Sequence, residues 1–215
     1  MSEQVTQTSE VAIDISLLPR IQPLSYEEAD EKTRAQWDQM AAAPTAADGS
    51  RIDAQHAVFR TLIHHPDLFK VHSPYTQYLK NSTTLPGRQR EIAILRSAWN
   101  CGVDDQWVNH TVIGMSCGLS EDEIRQIAAG ADAPGWSPFE ATLIRAVDQL
   151  HLACRVSDDT WSALGQEYDE RQLIEFLLLV GNYRALSYIQ NNVGIRPVTG
   201  TSPNIPGNRF LFPAS

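Results

Sequence analysis

The chain of 215 residues is 42% hydrophobic and 20% charged. That supports one sizeable core in one domain, and it excludes a collagenous, mucin-like or wholly disordered polypeptide. Its 17 Lys and Arg stand against 26 Asp and Glu, a net charge of −9, the opposite of a basic nucleic-acid footprint. An anionic small molecule stays compatible, because one local Arg outweighs a global field. Cys101, Cys117 and Cys154 are odd in number and form no C-x-x-C pair. A disulfide framework is therefore not expected, and a reducing, cytoplasmic setting is. Met1 to Glu10 lacks the basic and apolar regions of a secretory signal,. The longest apolar run, Phe176 to Val180, is far too short to cross a bilayer,, so no membrane partner is expected.

Three regions follow along the chain: a polar arm over 1–19, a helical domain over 20–197 and a Pro/Gly-rich tail over 198–215. Ser25 with Glu28 reads as a capping box, in which the hydroxyl and the carboxylate satisfy free backbone N–H groups at a helix start. Ser120/Glu123 and Ser137/Glu140 repeat it, the latter with Pro138 at the first helical position, and Asp169/Gln172 is a weaker version. Gly118 and Gly130 read as stops, since Gly adopts the left-handed conformation without penalty. These signals predict seven to nine helices. The segments are Tyr26–Met40, Asp53–Ile63, Asp67–Asn81, Pro86–Trp99, Asp104–Cys117, Glu121–Ala129, Pro138–Cys154, Asp158–Glu167 and Glu170–Val193, with a small-residue loop over Ala41–Ser50. No stretch alternates with period two long enough to predict a strand, so the expected class is all-α. The last helix is apolar on most sides and should be central or lie in a subunit contact. The tail carries Phe210, Leu211 and Phe212, and reads either as a loose end or as a docking arm.

Two titratable residues fall on apolar faces. Glu91 shares its arc with Ile94, Leu95 and Ala98, at about 100° per residue. A buried carboxylate needs a partner; the plainest reading is a structural ion pair, with Arg88 one turn earlier as a candidate. His110 shares its face with Val103, Gln106, Trp107, Ile113, Gly114 and Cys117. Each alone fits a core role. Together, on consecutive helices, they fit a carboxylate that holds an imidazole in one tautomer for acid–base work. Trp107, one turn before His110, fits a pocket wall or core, and Tyr183 on the last helix can line the same cavity. His64, His65 and His72 cluster locally, but Pro66 and Pro74 are expected to interrupt their helix and no carboxylate completes a metal set. No metal is expected. Without a phosphate loop or G-x-S-x-G elbow, no cofactor is expected either.

Leu85-Pro86, Arg90-Glu91-Ile92-Ala93-Ile94-Leu95, Trp107-Val108-Asn109-His110 and Gly118-Leu119-Ser120-Glu121-Asp122-Glu123-Ile124 together resemble the carboxymuconolactone decarboxylase family, which also contains alkylhydroperoxidase D-like proteins. The resemblance is strongest from Phe59 to Ile127. It implies a single-domain, all-helical bundle and a homo-oligomer: dimer, trimer or hexamer. It aligns Glu91 with the family's Glu and His110 with its His. The two cysteines of the peroxidase branch fall on Val103 and Gln106, so neither the peroxidatic nor the resolving thiol is there. The decarboxylase branch needs no cysteine: it removes carbon dioxide from a lactone and moves a double bond, which calls for a proton donor and stabilisation of a dienolate.

The expected function is thus that of a cofactor-independent lyase or isomerase acting on a small carboxylated or lactone-type molecule, in aromatic compound catabolism if it follows its namesake. His110 and Glu91 would be catalytic; Trp107, Arg88 and Tyr183 would contact substrate. Arg88, Arg90 and Arg184 are the candidates to hold a substrate carboxylate, and sequence does not choose among them. The competing readings are a cysteine-dependent alkylhydroperoxidase, disfavoured by Val103 and Gln106, and a non-catalytic ligand-binding oligomer in which Glu91 and His110 are a structural pair.

Overall fold

The computed structural model describes residues 18–41 and 57–196. Among these, nine helices and no strand are found: α1 Glu31–Ala41, α2 Ala57–Leu62, α3 Pro66–Asn81, α4 Gly87–Cys101, α5 Asp104–Ser116, α6 Glu121–Ala129, α7 Pro138–Ala153, α8 Asp158–Leu164 and α9 Glu170–Val193. The all-α expectation is met, and most boundaries agree within two residues. The arm over 1–17, most of the Ala41–Ser50 loop, the start of the predicted second helix and the tail over 197–215 lie outside the described residues.

Two expectations are corrected. The Ser25/Glu28 bonds form, with Ser25 Oγ 2.7 Å from Glu28 Oε2, but they close a turn. Helix α1 starts later, where the Asp30 carboxylate accepts from Thr33 N at 2.8 Å. Pro74 lies inside α3 without ending it. Helix α4 runs through the core: Ile92, Ala93, Ile94, Leu95 and Ala98 are all essentially inaccessible. Helix α9 packs on α4 and α3 yet leaves Ile174, Leu178 and Tyr188 exposed.

Helix α4 divides two clusters. One side meets Leu143, Val147, Phe176, Leu179 and Tyr183 of α7 and α9. The other meets Trp107, Ile124, Ile127 and Ile144 of α5, α6 and α7. Removing such side chains from water is the main stabilising term, at about 25 cal/mol per Å² of apolar surface.

Two of the capping boxes have a second role. Glu123 and Glu140 bond back to Ser120 N at 2.8 Å and Ser137 N at 3.0 Å. The same carboxylates receive Arg88 of α4, whose Nε reaches Glu140 Oε1 at 2.7 Å while Nη2 reaches Glu123 Oε1. Arg88 Nη1 also donates to Gly118 O at 2.7 Å. One guanidinium thereby ties α4 to the starts of α6 and α7. Arg88 holds the Glu123 carboxyl down to about 2, from an ordinary 4.5.

The stability Glu123 contributes is therefore complete above pH 4.5 and is lost as pH falls towards 2,. Arg88→Met should cost about 1–2 kcal/mol at pH 7, allowing for partial exposure of the pair. It should also flatten the loss of stability between pH 4.5 and 2. Thermal melts across that range would read both effects.

Candidate active site

Glu91 sits on the second turn of the buried helix α4 and is 0% exposed. An isolated carboxylate there would be strongly unfavourable. Two partners, one imidazole and one guanidinium, offset this. His110 of α5 places Nδ1 2.7 Å from Glu91 Oε2, and Arg90 donates from Nε to Glu91 Oε1 at 3.1 Å. Burial pushes the Glu91 carboxyl up, but His110 and Arg90 together outweigh it and hold the group below the ordinary carboxylate range,. Glu91 is thus ionised and acts as an acceptor on both oxygens.

Gly114 lies one turn after His110. A Cβ there would lie 2.9 Å from Leu119 Cδ1, while Leu95 Cδ1 and the Glu91 Cβ of α4 would stand at 3.4 Å and 3.7 Å, so the missing side chain makes room for Leu119. His110 itself is buried. Its Nδ1 faces Glu91, so Nε2 is the ring nitrogen turned away from the carboxylate. The Tyr183 ring of α9 meets the imidazole edge-on, with centroids 5.0 Å apart at 84°. Burial, and then the Glu91 charge, push the Tyr183 phenol well above its ordinary value, so it stays protonated.

A buried polar chain runs beside the pair. The Asp105 carboxylate accepts from Gln190 Nε2 at 2.6 Å. Gln190 Oε1 in turn accepts from Gln106 Nε2 at 2.6 Å, and that amide also donates to Tyr183 O at 3.3 Å. A carboxylate only accepts, so it fixes the direction of both amides. The order leaves Gln106 Oε1 buried without a partner, one turn before His110; Thr111 Oγ1 and Asn182 Nδ2 are likewise unpaired.

Of the residues expected at the site, the structure brings Glu91, His110 and Tyr183 together. Arg88 is in the α4–α6–α7 cluster, not against Glu91 as the ion-pair reading suggested; that place is taken by Arg90. Arg184 is engaged with Leu150 O, His151 O and Tyr188. Trp107 is core, its ring 5.3 Å from that of Trp99. Sequence reading missed the part played by Gln190, although a Gln seven residues from Tyr183 on an otherwise apolar helix was a visible signal. His64 and His65 are exposed and His72 is half-buried. No group of three or more potential metal ligands occurs among the described residues.

Comparison with known proteins shows that this all-helical fold is of the alkylhydroperoxidase AhpD-like kind. The stretch over residues 66–149 matches the carboxymuconolactone decarboxylase family. It contains Glu91 and His110 but not Tyr183. Among solved structures, an alkylhydroperoxidase AhpD core protein from Ralstonia eutropha, described as an uncharacterised peroxidase-related protein, shares 17% identity with a TM-score of 0.66, over 86% of this chain and 94% of its own. A putative antioxidant defence protein AhpD from Agrobacterium tumefaciens shares 19% with a TM-score of 0.59, over 63% and 93%. The debrominase Bmp8, solved as a cysteine-to-alanine variant with 2,3,4-tribromopyrrole, shares 12% with a TM-score of 0.61, over 85% and 93%. At these identities the likeness is one of fold. No curated protein matches.

Breaking the pair from either side strands a buried polar group. Glu91→Ala and His110→Ala should each cost about 3–5 kcal/mol, with the double variant losing at least 1 kcal/mol less than their sum. Chemical denaturation of the four proteins measures this, and simple additivity would show that the two side chains do not interact.

Proposed function

We propose that the protein is an acid–base enzyme of the carboxymuconolactone decarboxylase type, a lyase or isomerase acting on a small carboxylated or lactone-type molecule. The observation that carries this reading is the 2.7 Å contact between His110 Nδ1 and an ionised, inaccessible Glu91. Glu91 orients the imidazole and balances its charge when it is protonated, while Nε2 moves the proton. In a decarboxylation the carbon–carboxylate bond breaks, carbon dioxide leaves and the electron pair passes into a dienolate. His110 then delivers a proton to carbon. Arg90 supplies positive charge next to Glu91, and of the three candidate arginines it is the one whose neighbours favour a role in holding a substrate carboxylate. The unpaired Gln106 Oε1 favours a substrate that carries a hydrogen-bond donor. The positions of the peroxidase cysteines are filled by Val103 and by Gln106, whose amide is tied to Gln190, which supports acid–base over thiol chemistry at this centre.

The expected homo-oligomer belongs to the same proposal. Leu68, Val71 and Tyr75 of α3, with Ile174 and Leu178 of α9, are exposed and offer an apolar face to a second copy.

Carbon dioxide release from γ-carboxymuconolactone tests the reading. Wild type should release it, His110→Ala should be slower by 100-fold or more, and Arg90→Met should chiefly raise KM. A wild type that releases none rejects the namesake reaction, and full turnover by His110→Ala rejects the role of His110.

A further inference from the structure

A nucleophilic side chain lies outside this centre. Cys101 ends α4, ten residues beyond Glu91 and so about 15 Å along the helix. Its sulfur is 3.8 Å from Nδ1 of His151, in the last turn of α7. The two are fifty residues apart in sequence, so no motif announces them. Arg184 of α9 completes the cluster. Its Nη1 donates to Leu150 O at 3.2 Å and to His151 O at 2.7 Å. The guanidinium is held at the end of α7, and its charge acts on Cys101 and on Cys154. Burial, then Arg184, hold the His151 imidazole below its ordinary value, with Asp148 opposing and Arg96 adding to the effect. At neutral pH His151 is an uncharged base. The backbone carbonyl of Cys101 accepts from Asn191 Nδ2 at 2.7 Å, so the negative end of α4 is partly neutralised beside the sulfur.

We propose that Cys101 is a hydroperoxide-reactive thiol with His151 as its general base. The thiol proton passes to His151 Nδ1 as the sulfur attacks the distal peroxide oxygen. The O–O bond breaks, and the proton on His151 goes to the departing oxygen as water or an alcohol. Sulfur is oxidised to a sulfenic acid and the peroxide is reduced. This site is independent of the Glu91–His110 reading and needs no cysteine at 103 or 106.

The three thiols allow a sharp test because exposure and activation predict different orders. All three cysteines are free, but Cys154 is exposed while Cys101 and Cys117 are half-buried. Cys154 also lines a surface cavity of about 310 Å³. Accessibility alone therefore favours Cys154; a base-assisted reaction favours Cys101. The full-length reduced protein is treated with sub-stoichiometric hydrogen peroxide in the presence of dimedone, and peptide mass spectrometry reads the label at each cysteine. Cys101 should be labelled at least fivefold ahead of Cys154 and Cys117. His151→Phe should slow its labelling about tenfold or more while leaving Cys154 unchanged, and Cys101→Ser should remove the fast fraction. Preferential labelling of Cys154 in wild type overturns the proposal, whether or not His151→Phe folds. So does a folded His151→Phe that oxidises Cys101 at the wild-type rate.

Discussion

The interior of this protein is organised around one ionised carboxylate that water does not reach. Placing Glu91 on the most deeply buried helix would be strongly destabilising on its own. The fold meets that constraint with two directed partners, Arg90 on one oxygen and His110 on the other. In the function proposed above, the second partner matters more, because the hydrogen bond that satisfies Glu91 would also select the imidazole nitrogen that remains for chemistry. That reading links stability and reactivity through a single contact.

Other features of the bundle serve that contact. Gly114 makes room for Leu119 where α5 lies against α4. Asp105, Gln190 and Gln106 lock α5 to α9 through amides whose direction a carboxylate dictates, and Tyr183 closes on the imidazole from α9. The Arg88 cluster fastens the outer end of α4 to α6 and α7, using carboxylates that already cap those helices. Among the buried polar groups beside His110, Gln106 Oε1 is left without a partner.

Much of this was legible in the sequence, and the parts that were not share a physical cause. Helix starts at Ser120, Ser137 and Asp169 depend on residues three apart, so local chemistry announces them. Glu91 and His110 were visible because each breaks an apolar face, a signal carried by one helix alone. Their mutual contact was a reasonable expectation only because both helices are short and consecutive. Arg88 was misjudged because one turn of helix suggests a partner, whereas carboxylates 35 and 52 residues away in sequence compete for it successfully. Pro74 was read as a break, yet tertiary packing keeps α3 continuous around it. Cys101 and His151 had no sequence signal, since nothing in a periodic pattern records which helix ends meet.

The account rests on a proton held between Glu91 and His110 Nδ1, and nitrogen-resolved NMR of the histidine side chains observes that proton directly. A long-range proton–nitrogen correlation spectrum at neutral pH should show a slowly exchanging, strongly hydrogen-bonded proton on His110 Nδ1, and this resonance should move or vanish in Glu91→Gln. A His110 whose Nδ1 carries no proton, or whose Nδ1 proton is indifferent to Glu91, would contradict the account at its centre.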